Sequence, residues 1–369
     1  MDIDNNSPVS DALFRTRITQ PLGEPLDRDR LLTDIAAVYA LDYWELIDYD
    51  LVERDSGRGL LVKARAKAWG EDKLKMGLGL LTDLDGSSDV NLGASYLLKG
   101  VNELGGEFYG RAQLGDTIIL SGEFYQPVDL LSRFFVSPYL GYHDYDVLTL
   151  GPELDLGEVI GSWRVRRARL ELSGGANLFR NSQFRMGLFG AYGEYRSDFS
   201  INNELEEDEF QEGGVFASYR YDRLDDPFFP TRGGLLFAEY ELHRTGLGAD
   251  SNFERWRATG QAALSFGAEK RNTLILTGRT GQSIGASNEP QNYYQLGGLF
   301  NLSGLSQNLL SGRQMAFAML QYQRRLSDDS VIPIDMPVYV GASLEGGQLW
   351  SERSDITSGD FINAGSLYL

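Results

Sequence analysis

FERWRATGQAALSF, residues 253–266, carries two chemistries on alternate positions. Trp256, Ala258, Gly260, Ala262, Leu264 and Phe266 fall on one face, and Arg255, Arg257, Thr259, Gln261 and Ser265 on the other. A period of two is that of a strand with one apolar and one polar side. The pattern returns at 90–98 (Val90, Leu92, Ala94, Tyr96, Leu98 against Asn91, Gly93, Ser95) and at 107–114 (Phe108, Ala112, Leu114 against Glu107, Tyr109, Arg111, Gln113). It returns again at 163–173, with Ala168, Leu170 and Leu172 against Arg167, Arg169, Glu171 and Ser173. From Leu74 onward no helical period occurs. Alternation alone does not separate a soluble sandwich from a membrane barrel with a wet interior, but strand number favours the barrel. About 14 strands over roughly 300 residues, with alternately short and long links, fit a transmembrane barrel. A sandwich of that length would divide into several domains.

Composition narrows the function classes. The 369 residues include 34 Lys plus Arg against 53 Asp plus Glu, a net charge of −19, which argues against a nucleic-acid partner. With 0 cysteines, disulfides, thiolate metal sites and cysteine nucleophiles are excluded. The 2 histidines, His143 and His243, are too few and too far apart for a histidine metal cluster or a Ser-His-Asp triad. No apolar run reaches the roughly 18 residues of a membrane helix, and MDIDNNSPVS at the start is not a signal peptide. A nucleophile elbow Gly-x-Ser-x-Gly is absent, since Gly341-Ala-Ser343-Leu-Glu345 fails at its last position and lies in a strand. No catalytic residue, cofactor or metal is therefore assigned. The acidic run 203–209 reads as a solvated outer loop, and tyrosines and tryptophans near strand ends read as interfacial girdles.

Residues 1–72 read differently. Ser10 or Asp11 caps a short helix carrying Leu13, Phe14 and Ile18, and Asp27 opens a second with Leu31, Leu32, Ile35, Val38 and Tyr39. A strand over 45–53, a turn over 55–59 and a strand from Leu60 follow, the last placing Leu60, Val62, Ala64, Ala66 and Ala68 opposite Lys63, Arg65 and Lys67. Residues 2–5 are a candidate first strand. The order strand, two helices, two strands resembles a POTRA domain with a shortened first strand.

Further motifs resemble the outer-membrane assembly and secretion superfamily, which couples POTRA domains to a 16-stranded barrel. DRLDDPFFPTRGG (222–234) is similar to its turn signature, through Asp222, Asp225, Phe229, Pro230 and Gly233. YYQLGGLFNLSGLSQNLLSG (293–312) is similar to its long sixth loop, and YVGASLEGGQLW (339–350) to the strand bearing an acidic residue two before a glycine, here Glu345 and Gly347. VNELGGEFYGRAQLGDTIILSGEFYQPVD (101–129) resembles the branch that carries a patatin-like phospholipase ahead of its POTRA domain.

The resemblance implies a POTRA domain over 1–72 in the periplasm and an outer-membrane β-barrel over 73–369. The implied function is a translocator that exports or displays an upstream, patatin-like passenger, with the 285–312 loop as plug. An assembly factor or two-partner transporter acting on a separate polypeptide, and a passive pore or surface-binding barrel, are the alternatives. Expected partners are a polypeptide, outer-membrane lipids and, through flat apolar outer strands, a second copy of the chain. Two departures stand out. Leu302-Ser303-Gly304-Leu305 occupies the loop tip where the superfamily has an arginine that meets the acidic strand residue, so Glu345 should be held by hydrogen bonds or by another arginine, with only a weak role expected for Ser303. Gly304 and Leu305 are equally readable as turn and plug residues. The chain stops at Ser366-Leu367-Tyr368-Leu369 rather than on a terminal aromatic, so the last one or two of 16 strands are expected to be missing.

Overall fold

A computed structural model describes residues 1–21, 23–54, 57–67, 73–82, 88–150, 159–179, 181–200, 206–327, 338–352 and 361–369. The N-terminal unit runs β1 (Asp2–Asn5), α1 (Ala12–Arg17), α2 (Arg28–Tyr39), β2 (Trp44–Arg54), β3 (Gly57–Ala66). Its sheet has the order β1-β3-β2, with β1 parallel and β2 antiparallel to β3. Asp27 caps α2 by accepting from the Arg30 amide at 3.1 Å, satisfying one of the first-turn donors. Leu13, Phe14, Leu31, Ile35, Val38, Trp44 and Val62 form the core. The turn expected over 55–59 is shorter, because Arg58 and Gly59 already pair with Glu53 and Val52. Asp55, Ser56 and Ala68 lie outside the described residues.

Fourteen strands form the second sheet among the described residues. It begins with β4 (Lys73–Thr82), β5 (Ser88–Leu98), β6 (Glu107–Gly115), β7 (Ile118–Pro127) and β8 (Phe134–Leu150). Long strands follow: β9 (Val159–Leu178), β10 (Ser182–Ser200) and β11 (Glu207–Asp222). Then come β12 (Arg232–His243), β13 (Phe253–Phe266) and β14 (Asn272–Ile284). A two-stranded ribbon, β15 (Tyr294–Leu296) with β16 (Leu310–Gly312), interrupts the meander before β17 (Gln314–Ser327), β18 (Val338–Trp350) and β19 (Ile362–Tyr368). Every neighbouring pair in the large sheet is antiparallel. β4 and β19 are its two edges, so among the described residues the ladder is open, with the fourteen strands that the sequence leads one to expect. Part of the acidic run is a correction: Glu207, Asp208 and Glu209 belong to β11 rather than to a loop, while residues 203–205 lie outside the described residues.

The two faces of this sheet answer the question alternation left open. Leu140 and Leu170 (61% each), Leu264 (68%) and Leu344 (70%) project outward and stay exposed. Polar groups fill the other side, where Ser137, Glu212, Glu241, Ser283, Gln323 and Glu345 are buried. A water-soluble sandwich would reverse this arrangement, whereas an apolar exterior around a polar interior suits a sheet wrapped by lipid. The polar side is concave: Arg169 of β9 reaches Glu241 of β12, three strands away, at 2.8 Å.

The small unit docks on one end of the large sheet. Tyr43 donates its hydroxyl to Gly105 O (3.1 Å), the Ser10 amide donates to Glu103 O (2.9 Å), and Arg17 donates to Leu130 O (2.6 Å). These partners sit in the β5–β6 and β7–β8 turns. Burial, followed by the nearby Glu107 carboxylate, raises the Tyr43 phenol well above its ordinary pKa, so it remains a hydrogen-bond donor.

Candidate functional site

The 285–312 segment enters from the opposite end and lies on the concave face. It bridges distant strands: Gln295 donates to Asp146 O (2.9 Å) and Ser311 to Leu148 O (2.6 Å), both on β8. On the other flank it meets β18. Leu302 N and Ser303 N donate to Glu345 Oε2 at 2.8 and 2.7 Å, and Ser303 Oγ donates to Oε1 at 2.7 Å. Ser343 Oγ also donates to Oε1. Leu302 adopts φ 76° and Phe300 φ 58°, left-handed values that cost a side-chain-bearing residue about 1–2 kcal/mol. That geometry turns successive amides toward one anion, a backbone nest in place of a guanidinium. Glu345 is only 4% exposed, so its charge is held by four donors out of bulk water.

Apolar contacts complete the anchor. Leu296, Leu302 and Leu310 of the segment pack on Phe317, Met319 and Leu349 of β17 and β18. Full burial of each leucine contributes about 2 kcal/mol. Gly347 lies under this packing, and a Cβ there would stand 3.1 Å from both Leu296 Cδ1 and Phe317 Cδ2, so the two side chains would have to give by a few tenths of an ångström. An arginine does take part: Arg279 of β14 donates to Asn301 Oδ1, with its guanidinium 4.3 Å from the Phe317 ring centroid. Gly304 has φ 95° with open space around it, and Leu305 borders the apolar cluster.

Beside the segment runs a charge lattice. Arg255 of β13 pairs with Glu212 (3.5 Å) and Glu241 (3.6 Å), and donates to Asn292 Oδ1 (2.9 Å) at the base of the segment. Arg167 pairs with Glu212, and Arg169 pairs with Glu241 and Glu171. His243 Nε2 lies 3.1 Å from Glu241, its ring stacked on Phe253 at 3.8 Å. Arg167, Arg169, Glu171 and Arg255 are visible in the sequence as polar-face residues. Glu212 and Glu241 are not singled out there, and His243 is noted only as one of two histidines, because alternation gives the face and not which strands meet across it.

The signature turn folds at the other end. Asp225 accepts from Thr231 N (2.8 Å) and Arg232 N (3.1 Å), and Asp226 accepts from Phe228 N (2.7 Å) and Phe229 N (2.8 Å). Asp222 accepts from Leu224 N at 3.2 Å. Gly233 is obligatory: φ is 102°, and a Cβ would fall 2.0 Å from Arg223 O. Burial pushes the Asp225 carboxyl up, but the Thr231 hydroxyl and the Thr231 and Arg232 amides outweigh it, leaving its pKa below the ordinary value. Turn stability from this carboxylate is thus full above the unfolded pKa of about 3.9 and is lost as pH falls through the lower folded value. Hydrogen exchange over 223–234 should show protection falling on acidification through that window, and Asp225→Asn should remove the acid-sensitive part.

Among the described residues no three His, Asp or Glu side chains gather as a metal site. The family profile described as the Omp85 superfamily domain matches residues 123–358. Among solved structures, BamA from Haemophilus ducreyi lacking POTRA domains 1–3 aligns with a TM-score of 0.68 at 13% identity, over 95% of this chain and 71% of that one. CdiB from Acinetobacter baumannii aligns at 0.54 and 14% identity, over 99% and 66%. CdiB from Escherichia coli aligns at 0.57 and 13% identity, over 100% and 72%. At these identities the likeness concerns the fold. No curated protein sequence matches the chain. The profile spans well over half of the residues, takes in the turn, the segment and the Glu345 strand, and on that ground the chain belongs to the Omp85 superfamily.

Proposed function

We propose that the chain is an outer-membrane translocator that moves a polypeptide through or alongside a β-barrel, with membrane lipid against its apolar exterior. The observation that carries this reading is the pairing of an inside-out sheet with a long segment pinned on its polar face by Glu345. The N-terminal unit acts as a periplasmic POTRA domain, an assignment supported by its order of strand, two helices and two strands. Its β2 has a ladder partner on one side only among the described residues, leaving an edge on which an extended polypeptide can add as a strand. No step of bond chemistry is assigned to the chain.

The passenger in this proposal is an upstream patatin-like domain of the same polypeptide. A separate polypeptide is the second reading, favoured by the likeness to the two CdiB structures over essentially the whole chain. Protease access on intact Gram-negative cells making the complete gene product separates them. A surface-exposed upstream domain that stays inside when Leu302–Leu305 is replaced supports self-export. An upstream domain that remains periplasmic throughout, or none, supports action on a separate chain. Unimpaired export after removal of 10–68 and, separately, of 293–312 would sink both.

A further inference from the structure

The signature turn does more than join β11 to β12. Three consecutive residues step across the concave face, each touching a strand farther round. Thr231 O accepts from Ser265 Oγ of β13 at 2.7 Å, and Pro230 O accepts from Gln323 Nε2 of β17 at 3.3 Å. The Phe229 ring lies parallel to that of Tyr339 on β18, with centroids 4.9 Å apart and planes 1° from parallel. Pro230 is buried, and Ser265 Oγ continues to Thr273 Oγ1 of β14 at 2.9 Å. The turn thus spans β12 to β18 in the sheet order. A surface hairpin linking two neighbours needs none of these contacts.

Successive antiparallel strands put the β5–β6, β7–β8, β9–β10 and β11–β12 turns at one end, that of the N-terminal unit, and the 285–312 segment at the other. We propose that residues 223–231 are a strap that shuts the concave route at the N-terminal unit's end, in series with the segment. Glu345 and Tyr339 lie on the same face of β18, six positions apart, so one strand holds both closures. The strap is released by unstacking one ring pair and giving up two hydrogen bonds to carbonyls, while the Asp225 and Asp226 caps keep the turn intact as it swings. The inference rests on the membrane-spanning reading above but not on what is carried.

Conductance of the purified full chain in planar lipid bilayers tests it, since it needs no polypeptide substrate and reads the strap even in a chain that exports nothing. Closures in series predict that Phe229→Ala and Glu345→Ala each leave most of the resistance in place, whereas the double substitution conducts severalfold more than either. Tyr339→Phe keeps the ring stack and should behave as the unaltered chain. Because the protein has no cysteine, a Phe229→Cys, Tyr339→Cys pair in the Glu345→Ala background can be bridged by a short bis-methanethiosulfonate, which forms a disulfide to each thiol as methanesulfinate leaves. Conductance should then fall and return on reduction. Heat-dependent electrophoretic mobility reports folding of each variant. A double variant no more conductive than Glu345→Ala alone, together with a bridge that changes nothing, overturns the strap.

Discussion

Glu345→Ala is expected to free the 293–312 segment from the concave face at a cost of about 3–5 kcal/mol, because it leaves buried donors with no acceptor. Leu302 N and Ser303 N lose their acceptor, Ser303 Oγ loses its acceptor and keeps only the Phe300 amide, and Ser343 Oγ loses one of its three hydrogen bonds. The left-handed turn at Leu302 then holds its strain with no carboxylate to stabilise it. Glu345→Gln keeps the volume but replaces one acceptor with an NH2 that confronts a donor, so it should recover only part of the loss. Ser303→Ala removes one charge-assisted bond and should cost about 1.5–3 kcal/mol. Protease cleavage between Gly297 and Leu309 in the folded protein measures the release. Cleavage in Glu345→Ala at the unaltered rate would contradict the anchor.

Glu241→Ala should destabilise the sheet by a comparable margin, about 3–5 kcal/mol, through a different cause. Arg169 and Arg255 both lean on this carboxylate at 2.8 and 3.6 Å, and their side chains are each 13% exposed. Removing it leaves buried guanidinium groups short of a counter-charge. Glu171 still serves Arg169, and Glu212 still serves Arg255, so neither cation is left wholly alone. Replacement of Glu212 should therefore be strongly non-additive with that of Glu241, since the two carboxylates share Arg255. Urea unfolding in lipid vesicles, followed by electrophoretic mobility, gives the single and double values. Additive losses would mean that the lattice does not act as a unit.

The strands and both helices of the N-terminal unit were legible in the sequence because each rests on a local period, two or 3.6 residues long. Alternation in the Phe253–Phe266 stretch places Leu264 and Phe266 on one face and Arg255 on the other, and strand number is what points the apolar face outward. What alternation lacks is any signal for contacts across the concave space. The pairing of Arg169 with Glu241 depends on curvature summed over three strands, which no residue pattern encodes. One signal was present and unread: around β17, Met315, Phe317 and Met319 are apolar on the polar face while Leu320 is apolar on the other. A strand apolar on both faces needs cover on both, and here the 285–312 segment supplies it on the concave one. Glu345 and Gly347 were legible only through the superfamily resemblance. The nest that receives the carboxylate was not, since backbone amides leave no mark in a sequence.

The absence of cysteine permits a direct test of the central claim, that the apolar side of the sheet meets lipid and the concave side is wet. Single cysteines placed in turn at Arg257, Ala258, Thr259, Gly260, Gln261 and Ala262 can be labelled with a fluorophore in proteoliposomes. They are then quenched either by nitroxide-bearing lipid or by an aqueous quencher. A strict alternation is expected, with lipid quenching at 258, 260 and 262 and aqueous quenching at 257, 259 and 261. Equal aqueous quenching at all six, or lipid quenching at 257, 259 and 261, would contradict it.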